Sequence, residues 1–105
     1  MGTAQHLPGA KLDAGKIRVD LVMAGFANAL LAVAVVGTHG AEKYSDDGWL
    51  SVPDGRRRYA DARMRHYLAR KTGGEMDADS GLLHLAHEAW NVLAELEFRL
   101  RGIGA

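Results

Sequence analysis

The chain has 105 residues, no cysteine, and thirteen basic against thirteen acidic side chains. That length is one domain, with residues 1–10 as a flexible lead-in, and the absent thiols exclude disulfides and thiolate metal sites and fit a reducing cytoplasm. The cancelling charges leave no global field to draw the protein to nucleic acid or to an anionic membrane.

Residues 1–10 carry glycine and proline without periodicity, and lack the basic start and short apolar core of a secretion signal. Lys11 to Lys16 follow as a short polar loop. The segment from Leu21 to Gly37 is almost free of polar groups and about as long as a short membrane span. Its Ala and Gly content, Asn28, and the flanking Arg18 and Asp20 argue for a buried helix instead, from about Val19 to Tyr44. Apolar on every side, that helix is expected to be the most buried element.

Ser45 to Ser51 is turn-rich, and Asp54 after Pro53 marks an N-cap for a second helix that ends at Gly73-Gly74. A third helix is expected from about Ser80, capped by Asp79 or Ser80, to Gly102. Leu82, Ala86, Ala89, Leu93, Leu96 and Leu100 form one stripe at helical periodicity, whereas His84, His87 and Asn91 form another on the opposite side. The leucine stripe reads as the packing seam and the imidazole face as the binding face. No strand pattern appears. The expectation is an all-α bundle of three main helices, completed by oligomerisation into a dimer or tetramer because a monomer cannot hide so much apolar surface.

Several side chains can carry chemistry. Neutral imidazoles such as His84 and His87 are good transition-metal ligands, and carboxylates from different helices are the usual metal cage of a bundle. Glu42, closing the first helix, and Asp79, opening the third, are the carboxylates expected to converge on them, with His66 alongside. Asp46, Asp47, Glu75 and Asp77 read as capping or solvated loop charges. The second helix is basic, and Arg65 on it suits phosphate contacts, with Lys11, Lys16 and Lys43 as further cations. The Arg56–Arg58 run reads as solvated. Trp49, in a glycine-flanked loop, is the best aromatic for stacking on a base.

Taken together, Lys11-x-Asp13-x-Gly15-Lys16, Gly40-Ala-Glu42-Lys43-Tyr44 followed by Trp49, Tyr59-x-x-Ala62-x-x-Arg65-His66, and Asp79-Ser-Gly81-x-x-His84-Leu-Ala-His87-x-x-x-Asn91 resemble a phage-associated family. It is the dATP/dGTP diphosphohydrolase-type domain, related to MazG-like all-α nucleoside triphosphate pyrophosphohydrolases. The resemblance covers Ala10 to Leu100. It implies a metal-dependent hydrolase that splits a purine dNTP into dNMP and pyrophosphate, with Mg²⁺ or Mn²⁺ neutralising the polyphosphate and activating water. On that reading Glu42 and His66 are catalytic. Lys11, Lys16, Lys43, Trp49, Arg65 and Asn91 bind substrate, and Glu42, Asp79, His84 and His87 hold the metal.

The chain departs from the MazG-like pattern of Glu-x-x-Glu and Glu-x-x-Asp pairs. Glu88-x-x-Asn91 is the nearest echo, and Glu42 has no second Glu three positions on. A branch that builds its site from histidines, or one that binds nucleotides without hydrolysing them as a decoy, both fit that departure. A plain helical interaction domain with a buried polar layer is the third possibility.

Overall fold

A computed structural model describes residues 12–105, so Lys11 lies outside the described residues. Among the described residues there are four α-helices and one 3₁₀ turn: α1 (Asp20–Met23), α2 (Ala27–Lys43), the 3₁₀ turn (Gly48–Ser51), α3 (Gly55–Gly73) and α4 (His84–Arg101). The protein is all-α, with α2, α3 and α4 as its three main helices. Among the described residues the only β-type pairing is an isolated antiparallel bridge between Met76 and Leu83.

The first expected helix is broken. Turns at 24–26 separate α1 from α2, with Phe26 in a non-helical conformation at the α2 N-cap. Nor is this the most buried element: Val36 is its sole buried residue, while Leu21, Val22, Met23, Phe26, Leu31 and Val35 are each at least half exposed. The physical reason is a shortage of partners. The part of α2 that packs on α4 is its second half, where Gly37 lets the Trp90 indole approach to 3.3 Å from a β-carbon position. The molecule is accordingly long in one direction, 59 × 30 × 24 Å. Among the described residues no helix is long and apolar enough to cross a membrane.

α3 and α4 form an antiparallel hairpin, since Tyr59 near the start of α3 meets Phe98 near the end of α4. The bounds of α3 follow from its ends. Asp54 sits at the N-cap position, but in the left-handed region (φ 56°) and without a side-chain capping bond. Gly74, at φ 117°, ends the helix in a conformation that favours glycine. Gly102 closes α4 in the same way, its N–H bonding to the Phe98 and Arg99 carbonyls.

The core lies where α3, α4 and the 3₁₀ turn meet. Phe98 is fully buried, stacked on Trp49 (centroids 5.6 Å) and edge-on to Tyr59 (5.4 Å). Gly55 and Gly104 face its ring so closely that a β-carbon on either would overlap it. The C-terminal residues fold back over this point, with Arg56 Nε donating to the Ile103 carbonyl at 2.7 Å.

The expected packing stripe of α4 holds only at its start, where Ala86 is buried and Leu82 and Ala89 are half-buried. His84, Ala86, Glu88, Asn91, Ala94 and Phe98 are buried, whereas Leu93, Leu96 and Leu100 are 47%, 49% and 76% exposed. The polar face turns inward because α3 answers it in kind, His66 with His84 and Arg70 with Glu88. α4 also begins at His84, not Ser80; its N-cap is Leu83, and no side chain caps it.

Candidate metal and nucleotide site

A cleft of about 640 Å³ opens between the second half of α2, the 3₁₀ turn, α3, the 77–79 loop and α4. Lys43, Arg58 and Arg65 supply its cations, Tyr44, Trp49, Tyr59 and Trp90 its aromatic surface, His39, His66 and His87 its imidazoles, and Asp46, Asp77 and Asp79 its carboxylates.

The floor is built by short-range fixing of the 75–84 segment. The Asp77 N–H donates to the Leu82 carbonyl at 2.7 Å and the His84 N–H to the Glu75 carbonyl at 2.8 Å, folding the loop against the start of α4. Within it, the Ser80 amide (2.8 Å) and hydroxyl (2.7 Å) both donate to Asp77 Oδ2. The same hydroxyl lies 2.7 Å from His87 Nε2. An ionised carboxylate only accepts, and Ser80 has a single hydroxyl proton. With that proton on Asp77, His87 must donate from Nε2, which leaves its Nδ1 lone pair unprotonated.

The His66 ring, carried on α3, stacks parallel on His87 (4.4 Å, 4°). Its Nδ1 lies 2.8 Å from Nδ1 of the buried His84. Ligand atoms of His66, Asp77 and His84 all fall within 4.8 Å of one another. Burial lowers the His66 pKa, and the His84 and Arg65 charges add to this against the opposing pull of Asp77 and Glu88. Burial likewise lowers that of His87, helped chiefly by His66. Both rings are therefore neutral at pH 7, the form that binds metal or accepts a proton. Burial raises the Asp77 pKa, but the two Ser80 hydrogen bonds and the His87 and His66 charges outweigh it and hold the carboxyl below its usual range.

The expected site residues divide. His66, His84 and His87 come together, and Lys43, Arg65, Trp49 and Asn91 line the same cleft or its floor. Asn91 is buried and donates from Nδ2 to the His87 carbonyl at 2.8 Å. Trp49 belongs to the aromatic core as well as to the cleft wall. Asp79 stands at the rim, its carboxylate 3.3 Å from Lys43 Nζ, and is not in the histidine cluster. Glu42 is exposed on α2 and does not line the cleft. Lys16 is exposed before α1, 4.0 Å from Asp13, and also lies outside the cleft.

The carboxylate that does join the histidines is Asp77, expected to be a capping or solvated loop charge; it does cap its own turn at Ser80. The signal for it was local: Asp77-x-x-Ser80-Gly81 is the pattern of an acidic side chain that caps its own turn. Arg58, expected to be solvated, lines the cleft, whereas Arg57 pairs with Asp61 and Asp54 away from it. Glu88, the echo of the carboxylate pair, is held by Arg70 at 2.5 and 3.4 Å.

A family model described as dATP/dGTP diphosphohydrolase, N-terminal, matches residues 6–105. No curated protein and no solved structure matches the chain. The chain belongs to the dATP/dGTP diphosphohydrolase N-terminal family.

Proposed function

From that membership and the cleft, we propose that the protein binds a purine deoxynucleoside triphosphate and hydrolyses it, with a divalent metal, to the monophosphate and pyrophosphate. The observation that carries this reading is that His66 and Asp77, grouped with the buried His84 behind them, line one cleft with Lys43, Arg58 and Arg65. Cations at the rim suit the polyphosphate, and guanidinium groups suit it bidentately. Trp49, Tyr59 and Trp90 offer flat surface to a base, with Asn91 beneath.

His66, Asp77 and His84 are the residues that would hold the metal, which would neutralise phosphate charge and acidify a bound water. Three protein donors fit that task because they leave coordination positions open for water or substrate. His87, fixed through Nε2 by Ser80, is the base that takes the proton of the attacking water on Nδ1. Glu42, Lys16 and Asp79 carry no catalytic role in this arrangement. The exposed Leu93, Leu96 and Leu100 stripe is the face proposed to join copies of the chain into a homo-oligomer.

One observation favours a second reading, binding without turnover. Glu88, the nearest echo of the carboxylate pairs that MazG-like enzymes use, is committed to Arg70, and Asn91 stands where the second carboxylate would be. Incubation with each dNTP and Mg²⁺ or Mn²⁺, with product analysis, separates the two. Monophosphate and pyrophosphate support the hydrolase; saturable binding with intact triphosphate supports the binding protein. Absence of both binding and turnover would sink both readings.

A further inference from the structure

His66 and His84 present their Nδ1 atoms to each other at 2.8 Å from two different helices. Two like nitrogens make a hydrogen bond only if one carries a proton and the other does not, so the pair is competent for one shared proton or one shared cation. Two nitrogens bound cis to one ion at about 2.1 Å would lie about 3 Å apart, close to the spacing found.

The carboxylate of Asp77 completes the set within 4.8 Å. Its orientation is fixed from one side, because both Ser80 donors converge on Oδ2. Oδ1 stays outside that pair of bonds. Fixing a ligand through its second oxygen is how outer-sphere groups tune metal sites.

Donor chemistry then selects the ion. Mg²⁺ and Ca²⁺ take oxygen ligands, and Mg²⁺ demands near-ideal octahedral geometry, whereas imidazole favours first-row transition ions. We infer that His66, Asp77 and His84 form a site for one divalent transition ion of the Mn²⁺, Co²⁺ or Zn²⁺ class, in preference to Mg²⁺, with Ser80 as the residue that positions the carboxylate. This rests on the cleft reading above and names the cation class of the same site, but it holds without nucleotide.

The test is titration of the nucleotide-free chain with Co²⁺, followed by visible ligand-field absorption. One Co²⁺ per chain is expected, displaced by stoichiometric Zn²⁺ and not by a large molar excess of Mg²⁺. Ser80→Ala should weaken Co²⁺ binding by roughly 10–100-fold, and Ser80→Thr, which restores the hydroxyl, should recover most of it. His84→Ala and His66→Ala, checked for helicity by circular dichroism, should lose the absorption. Should either variant unfold, Mn²⁺ added to the wild-type chain must selectively broaden the His66 and His84 ring resonances. No absorption in the wild type, displacement by Mg²⁺, a folded His84→Ala chain that keeps its Co²⁺, or unbroadened His66 and His84 resonances would each overturn the inference. Nucleotide binding with no Co²⁺ site would overturn this inference alone, and a Co²⁺ site with no nucleotide binding would overturn the proposed function alone.

Discussion

Phe98→Ala is the substitution through which the architecture of the cleft can be tested without touching its polar groups. The ring is 0% exposed and makes aromatic pairs with Trp49 and Tyr59, both of which also line the cleft. Phe→Ala in a core costs about 3–5 kcal/mol, depending on how far the walls can collapse. Here two of the walls are the backbones at Gly55 and Gly104, already against the ring and fixed by the start of α3 and by Arg56. Little collapse is open to them, so the expected cost is in the upper half, roughly 4–5 kcal/mol. Since about 1 kcal/mol moves Tm by about 4–8 °C in a domain of this size, the midpoint should fall by roughly 15–40 °C. Thermal unfolding followed by circular dichroism reads this directly. Tyr59→Phe is the control: it keeps the ring and removes the hydroxyl that donates to the Trp49 carbonyl at 2.6 Å, for a loss of about 1 kcal/mol. A Phe98→Ala loss under about 1.5 kcal/mol would refute the placement of Phe98 at the centre of the core.

Arg65→Ala should weaken dGTP binding roughly tenfold by calorimetry, the worth of one charge-assisted phosphate contact at an exposed rim. Arg57→Ala, on a side chain paired with Asp54 and Asp61 outside the cleft, should change it little; equal effects would show that the cleft cations have been misassigned. The lowered pKa values of His66 and His87 fix the sign of a pH effect. Above their ordinary 6.5 both are neutral in folded and unfolded chains alike and contribute nothing. As pH falls below it the unfolded chain takes up protons that the folded chain resists, so stability should decline on acidification. A Tm that stays level between pH 7.5 and 5 would contradict this. Asp77 acts at lower pH: its stabilising contribution is present above 3.8 and is lost as pH falls through its lowered value. Leu93→Lys together with Leu96→Lys should reduce the mass seen by light scattering to that of one chain, and a wild-type protein that is already monomeric at micromolar concentration would remove the proposed seam.

How much of this was legible depended on whether the signal was local. α3 was, because Pro53-Asp54 and Gly73-Gly74 punctuate it on both sides. The end of α4 at Gly102 was too. The break in the first helix was not, since nothing in an all-apolar run distinguishes a turn at 24–26 from continuous helix except Gly25. Its burial was misjudged for another reason: periodicity reveals an apolar face but not whether the chain has a second element to cover it. The same blind spot hides the exposure of Leu93, Leu96 and Leu100 on α4. Leucine periodicity points to core, yet His66 and Arg70 on α3 offer His84 and Glu88 polar partners, and the pairing of two polar faces is a tertiary fact. The histidines of the cluster were recognisable from their helical spacing. Asp77 was not assigned because its role depends on a loop folded by backbone bonds to Leu82 and by Ser80. Asp79, two positions on, had looked the better ligand only because it was expected to open the helix.

The most direct test of the central claim, that this cleft receives a purine nucleotide, is intrinsic fluorescence. The chain has two tryptophans, Trp49 and Trp90, and both line the cleft. Titration with dGTP in the presence of Mn²⁺ should quench their emission saturably, and Arg65→Ala should shift the midpoint to higher nucleotide concentration. An emission spectrum that does not change up to millimolar dGTP, in a chain whose helicity is intact, would contradict the account.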